Sequence, residues 1–107
     1  MELNKSDLID PIELSQRLIR CPSVTPTEGG ALDELQAVLE RIGFKCTRLV
    51  FSESGTPDVD NLYARIGKDG PNFCFAGHSD VVPPGLSSER SGDPFSGMIA
   101  DGKLFGR

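Results

Sequence analysis

Residues 73–85 read FCFAGHSDVVPPG, an apolar run that ends in His78-Ser79-Asp80 and then in two prolines. The run follows the turn-forming triplet Gly70-Pro71-Asn72, so the sequence predicts a fully buried strand over residues 72–77. Open α/β sheets bind their ligands at the carboxyl ends of such strands. We therefore expect chemistry at His78, the one histidine of the chain, where this strand should reach the surface.

His78 and Asp80 are two residues apart, a spacing that points both side chains to the same face of an extended segment. Imidazole is a good zinc ligand, and a neighbouring carboxylate can bind the ion or orient the groups that do. This pair is the candidate metal site. Two simpler interpretations remain open: His78 as a hydrogen-bonded structural residue, and Asp80 as a loop acid that forms an Asx turn before Val81.

Residues 75–85 resemble the histidine motif of the dinuclear zinc aminoacylase and carboxypeptidase-like metallohydrolases, most closely that of the succinyl-diaminopimelate desuccinylases. Residues 18–26, LIRCPSVTP, and residues 93–107, DPFSGMIADGKLFGR, resemble further blocks of the same family in the same order. The chain departs from the family where Ser79 replaces a threonine, where Phe105 replaces a tyrosine, and in having no tryptophan in residues 84–95. The resemblance covers residues 1–107 as the opening part of the family's catalytic domain.

The resemblance implies that His78 is a ligand to one of two zinc or cobalt ions. It implies that Asp80 is the catalytic carboxylate that positions the metal-site groups. For the complete enzyme it implies hydrolysis of N-succinyl-LL-2,6-diaminopimelate to succinate and LL-diaminopimelate, on the route to lysine and cell-wall precursors. The family's bridging aspartate, glutamate pair and second histidine have no counterpart here, so the 107-residue chain alone is expected to be inactive. No substrate-binding residue is assigned.

Other functions fit parts of the same pattern. Acetylornithine deacetylases and dipeptidases of the family use the same metal chemistry. A non-catalytic remnant, or a small interaction domain that pairs its unfinished sheet with a partner, is the alternative of another class. A serine-hydrolase elbow at residues 77–81 is disfavoured, because Val81 stands where G-x-S-x-G requires the second glycine.

Composition narrows the range of partners. Eleven basic and 16 acidic residues give a net charge of -5 without a basic cluster, which argues against binding to nucleic acid or an anionic membrane. No apolar stretch approaches the ~20 residues of a bilayer span, and residues 1–7 lack the order of a signal peptide. We expect a cytoplasmic protein with a small-molecule substrate, and the resemblance implies a homodimer for the complete enzyme. Three widely spaced cysteines, expected as reduced thiols, are Cys21, Cys46 and Cys74.

The element pattern predicts an α/β fold: two helices, then strands of a mixed sheet and a C-terminal hairpin, in an incomplete zinc-peptidase-like catalytic domain over residues 1–107. Asp10 and Pro11 predict the start of a helix that runs to about Arg20. A second helix is indicated by apolar residues at three- and four-residue intervals: Leu32, Leu35, Val38, Leu39 and Ile42, with Gly43 as C-cap. Strands are expected over residues 44–51, 61–66 and 72–77, the last two forming a hairpin, with loops over residues 52–60 and 87–92. Asp101-Gly102 predicts the final turn.

Overall fold

The computed structural model describes residues 4–86 and 92–107. A short 3-10 helix at Lys5–Asp7 precedes two α-helices, α1 (Pro11–Ile19) and α2 (Ala31–Arg41). Two antiparallel hairpins follow, the first formed by β1 (Lys45–Phe51) and β2 (Val59–Arg65), the second by β3 (Ile99–Ala100) and β4 (Lys103–Leu104). Both predicted helices, the first and second predicted strands and the final hairpin are thus present, with ends that differ by one or two residues. The loop expected over residues 87–92 lies outside the described residues except for Gly92.

The start of α1 follows directly from its sequence. The Asp10 side chain caps the helix by accepting a hydrogen bond from the Ile12 amide at 2.8 Å, and Pro11 occupies the first helical position, where no amide hydrogen is required. The helix packs beside α2, and an ion pair of 2.9 Å between Arg17 and Glu34 joins them. No residue of α1 is fully buried.

Helix α2 carries the small apolar core of the described chain. Glu28 accepts a hydrogen bond from the Leu32 amide at 3.0 Å, which satisfies one of the free amides of the first turn. Gly43, at a φ of 101°, lets the chain reverse after the helix, and the Phe44 amide donates to the Leu39 carbonyl at 2.9 Å. The buried apolar side chains among the described residues are Ala31, Leu32 and Val38, all on α2.

The β1–β2 hairpin presents one face to α2 and leaves the other exposed. Pairing runs from Lys45 opposite Arg65 to Phe51 opposite Val59, so alternate residues share a face. Residues of the half-buried face are Cys46, Arg48, Leu62 and Ala64. The exposed face carries four large apolar side chains: Leu49, Phe51, Val59 and Tyr63.

Arg48 ties this hairpin to α2. Its guanidinium makes two hydrogen bonds to the Asp60 carboxylate on β2, of 2.5 and 3.2 Å, and one of 2.6 Å to Asp33 on α2. Gln36 accepts another at 3.2 Å. The hydrogen bonds to Asp60, and to a smaller extent that to Asp33, raise the pKa of Arg48 above its usual range. The Arg48 guanidinium therefore links strands β1 and β2 to helix α2.

We expect the stability contribution of Asp60 to depend on pH. Hydrogen bonding from Arg48 lowers the pKa of the Asp60 carboxyl below its ordinary value of 3.8. A carboxyl group whose pKa is lower in the folded state than in the unfolded state stabilises the fold at pH values above its unfolded-state pKa. This stabilisation is lost as the pH falls through the folded-state pKa. Thermal melts should therefore show Asp60→Asn less stable than the parent at pH 7, with the gap closing below about pH 4. A pH-independent gap, or an equal gap for the exposed Asp58→Asn, would contradict this origin.

The C-terminal hairpin rests on α1. Asp101 and Gly102 both have positive φ, 51° and 70°, as the tight Asp-Gly turn requires. Gln16 donates a hydrogen bond to the Gly97 carbonyl at 2.9 Å, and Arg20 donates one to the Ser96 carbonyl at 3.2 Å. The C-terminal block, whose last residues 101–107 read DGKLFGR, is thereby attached to the first helix.

The prediction of a buried strand over residues 72–77, paired with residues 61–66, is wrong for this structure. The segment has no strand pairing, and Phe73 and Phe75 are 78% and 91% exposed. Strand β2 pairs with β1 instead. A fully apolar strand requires neighbours on both edges and cover on both faces, and the described residues supply neither to this segment. The expected mixed sheet is likewise replaced by two separate antiparallel pairs.

The molecule is more open than a closed domain of its length. Its radius of gyration is 16.2 Å, whereas about 13 Å is typical of a compact chain of this size. Its exposed large apolar side chains include those of the exposed β1–β2 face and of Phe73 and Phe75. Among residues 4–86 and 92–107, no helix has the length and apolar character needed to cross a bilayer.

Candidate metal-binding loop

The structure brings His78 and Asp80 together at the surface. Nδ1 of His78 lies 3.0 Å from Oδ1 of Asp80 and 2.9 Å from the Asp80 backbone carbonyl oxygen. The His78 side chain is 83% exposed and the Asp80 side chain 47% exposed. The two residues thus share one face, as their spacing predicts. They stand on an exposed loop, because the strand expected to lead into them does not form.

These contacts decide which ring nitrogen of His78 carries the proton when the ring is neutral. Both atoms next to Nδ1 are acceptors, a carbonyl oxygen and a carboxylate oxygen, so Nδ1 must be the donor. Nε2 then keeps its lone pair. An imidazole fixed through Nδ1 to a carboxylate, with Nε2 open, is the arrangement that zinc-binding histidines adopt.

Hydrogen bonds to the Asp80 carboxyl lower its pKa. The Thr25 side chain has the largest effect in lowering the pKa of Asp80, and the His78 side chain has the next largest. Asp80 is therefore an acceptor for His78 at neutral pH. Thr25 belongs to the LIRCPSVTP block, which the sequence alone did not connect to the histidine motif.

A short parallel bridge joins these two blocks. The Val81 amide donates to the Ser23 carbonyl at 2.9 Å, and the Thr25 amide donates to the Val81 carbonyl at 3.0 Å. The Ser23 hydroxyl donates to the Ser79 carbonyl at 2.7 Å. Ser23 is 3% exposed, the one fully buried polar residue in the described ranges. The loop after His78 is consequently anchored to the segment between the two helices.

Gly29 supports the same segment through a close approach that no side chain would permit. Its φ is 61°, and an added Cβ would lie 2.7 Å from the Pro22 carbonyl carbon and 2.9 Å from the Ser23 amide nitrogen. Gly55 has a φ of 86° but nothing within 4 Å of such a Cβ, so it is a matched control for backbone strain alone. We expect Gly29→Ala to lower the melting temperature by about 10 °C and Gly55→Ala by roughly half that or less. Equal shifts would show that the contact with Pro22 is unimportant.

His78 and Asp80 supply one possible metal ligand and not a complete metal site. His78 offers Nε2, and Asp80 orients the ring from its other side. Within the ranges that the structure describes, no cluster of three or more histidine, cysteine or acidic side chains could hold an ion. Catalytic zinc usually has three protein ligands and an open position. His78 and Asp80 therefore offer one candidate ligand and its supporting carboxylate.

A separate apolar hollow of about 390 Å³ lies between the start of α1 and the C-terminal hairpin. It is lined by residues that include Ile12, Ile99 and Leu104. None of the predicted site residues reaches it, so it takes no part in the candidate metal site.

Comparison with known proteins agrees with the resemblance found in the motifs. A protein named succinyl-diaminopimelate desuccinylase from Rhodospirillum centenum is 63% identical over 98 residues, which are 92% of this chain and 25% of that protein. Proteins of the same name from Parvibaculum lavamentivorans and Methylorubrum extorquens are 60% and 62% identical over 92% and 91% of the chain, and 25% of each is covered. The chain spans about a quarter of the length of the curated relatives it matches. No family model matches it.

Proposed function

The chain is a sequence relative of the succinyl-diaminopimelate desuccinylases, of which it spans about one quarter, and on this premise we propose that it forms part of a metal-dependent amide hydrolase. The proposed reaction of the whole protein is hydrolysis of N-succinyl-LL-2,6-diaminopimelate to succinate and LL-diaminopimelate, in lysine biosynthesis. The proposed metals are two zinc or cobalt ions. The proposal includes a zinc-peptidase-like catalytic domain, a homodimer and a cytoplasmic location for that protein.

One observation carries the proposal. Asp80 engages Nδ1 of the only histidine, so Nε2 is left with its lone pair on an exposed ring. The ring is held on one side by Asp80 and open on the other, as a metal ligand requires.

The residues of this chain have distinct tasks in the proposed reaction. His78 would hold one metal ion through Nε2. Asp80 accepts a hydrogen bond from Nδ1–H, which orients the ring and raises its basicity as a ligand. Bound zinc or cobalt would polarise the amide carbonyl and lower the pKa of an attacking water. No residue of the chain is proposed as the general base or as a contact of the succinyl group.

The 107-residue chain by itself is expected to lack hydrolase activity, because His78 and Asp80 supply one ligand and its support only. Assays of the purified chain with N-succinyl-LL-2,6-diaminopimelate and added zinc or cobalt should give the rate of a His78→Ala control. Turnover above that control would mean that this chain holds a complete site.

A chimaera tests the proposed function. The matched quarter of the R. centenum relative is replaced by residues of this chain, and hydrolysis of N-succinyl-LL-2,6-diaminopimelate, N-acetylornithine and a dipeptide is compared. We expect activity on the succinyl substrate that is removed by a chelator and restored by zinc or cobalt. A folded, metal-loaded chimaera that prefers acetylornithine or the dipeptide would contradict the substrate. A folded chimaera that turns over none of the three would contradict the hydrolase assignment.

The exposed apolar surface supports a second candidate, a non-catalytic interaction domain. Four large apolar residues on the β1–β2 face, together with Phe73 and Phe75, could be covered by a partner. Size exclusion and a thermal melt of the purified chain distinguish the two candidates. A cooperative, monomeric chain would favour a self-sufficient domain, whereas aggregation or a non-cooperative melt would favour a segment that needs the rest of a catalytic domain.

A further inference from the structure

The Ser23 side chain is neither a proposed ligand nor a reacting group, yet it is the most buried polar residue in the described part of the chain. Its hydroxyl donates to the Ser79 carbonyl at 2.7 Å across 56 positions of sequence. That carbonyl belongs to the peptide that joins Ser79 to Asp80. Rotation of this peptide would move the Asp80 carboxylate away from the His78 ring.

We propose that Ser23 is a positioning residue, which holds the Ser79–Asp80 peptide so that Asp80 engages Nδ1 of His78 and Nε2 stays open to zinc. The inference rests on the proposed metal role of His78. The two backbone hydrogen bonds between residues 23–25 and Val81 fix the position of the loop. The Ser23 hydroxyl also holds the orientation of the Ser79–Asp80 peptide. In the chain, this peptide lies between the proposed ligand His78 and the supporting carboxylate of Asp80.

The burial of Ser23 is the reason that this hydrogen bond matters. At 3% exposure, water cannot readily replace the hydroxyl, so its removal leaves the Ser79 carbonyl without this donor. The peptide then gains freedom to turn. Ser15 offers a matched comparison, because its hydroxyl also donates to a carbonyl, that of Pro11, at 2.7 Å, but within α1.

The experiment follows the single imidazole of the full 107-residue chain by long-range proton–nitrogen NMR at about pH 8.5. All variants carry Cys74→Ser, because that exposed thiol could itself bind zinc. Zinc chloride is the probe. In the parent we expect the proton on Nδ1 and a zinc-dependent shift of Nε2.

Ser23→Ala should move part of the proton population to Nε2 and raise the apparent dissociation constant for zinc about fivefold. Ser23→Thr, which retains the hydroxyl, should restore both values toward those of the parent. Ser15→Ala should leave both unchanged. If Ser23→Ala does not fold at the temperature of measurement, Ser23→Cys takes its place for the zinc-free tautomer measurement alone, since it donates only weakly and its thiol could itself bind zinc.

The outcomes separate this inference from the function on which it rests. An unchanged tautomer for folded Ser23→Ala or Ser23→Cys, together with a zinc affinity within twofold of the parent wherever Ser23→Ala folds, would overturn the positioning role, even if melting temperatures fall. Failure of zinc to shift Nε2 in the parent would instead count against the metal role of His78. In that case the tautomer comparison still decides whether Ser23 controls the contact between Asp80 and His78.

Discussion

His78→Ala in the chimaera is expected to lower kcat/KM for N-succinyl-LL-2,6-diaminopimelate by at least about 100-fold. Alanine removes the only imidazole that this chain can contribute, and the remaining carboxylate has no ring to orient. Steady-state assays with zinc in excess, together with the metal content of the purified protein, measure the loss. We expect the variant to retain less zinc than the parent, since a ligand and not a packing residue has been removed.

Two further variants help to interpret the loss of activity expected for His78→Ala. Asp80→Asn should cost about 10-fold to 100-fold, because the amide can still accept from Nδ1 but no longer carries a charge. Asn72→Ala, on the same exposed segment, should have the activity of the parent. Full activity and full zinc content in a folded His78→Ala chimaera would remove the basis for the metal assignment.

Arg48→Met is expected to lower the melting temperature of the 107-residue chain by about 10 °C. Methionine keeps the stem of the side chain but removes the cation that bonds to Asp60, Asp33 and Gln36. The Arg48 side chain is 24% exposed, so water replaces its charge-assisted hydrogen bonds only in part. Circular dichroism during heating at pH 7 measures the shift.

Arg65→Met is the control for Arg48→Met, because Arg65 is exposed on the other face of the same hairpin. We expect a shift of no more than a few degrees for this variant. Equal shifts for the two variants would show that the network around Arg48 contributes no more than any surface charge.

Local sequence signals predicted the elements that depend on neighbouring residues. Asp10 and Pro11 start α1, Gly43 ends the turn after α2, and Asp101-Gly102 closes the last hairpin. Each of these structures is determined within a few residues, so the sequence was sufficient. The strand predicted over residues 72–77 failed for the opposite reason: its apolar pattern is suited to a sheet interior, and the described chain provides no neighbouring strands for it.

In the candidate site, too, the sequence predicted contacts between neighbouring residues and missed those between distant ones. The spacing of His78 and Asp80 predicted a shared face, and the two side chains lie within hydrogen-bond distance although the strand on which that argument rested does not form. The contacts of Ser23 and Thr25 with the loop could not be read from periodicity or charge, because they join positions more than 50 residues apart. The one available signal was the presence of both blocks in the same family pattern. The Arg48 network was missed too, since a single arginine in a strand carries no indication of its partners.

Zinc-edge anomalous diffraction from crystals of the chimaera shows directly whether His78 binds the metal. We expect an anomalous peak within bonding distance of Nε2 of His78, with Nδ1 still engaged by Asp80. Zinc bound elsewhere in an active, fully loaded protein, with the His78 ring free of metal, would contradict it.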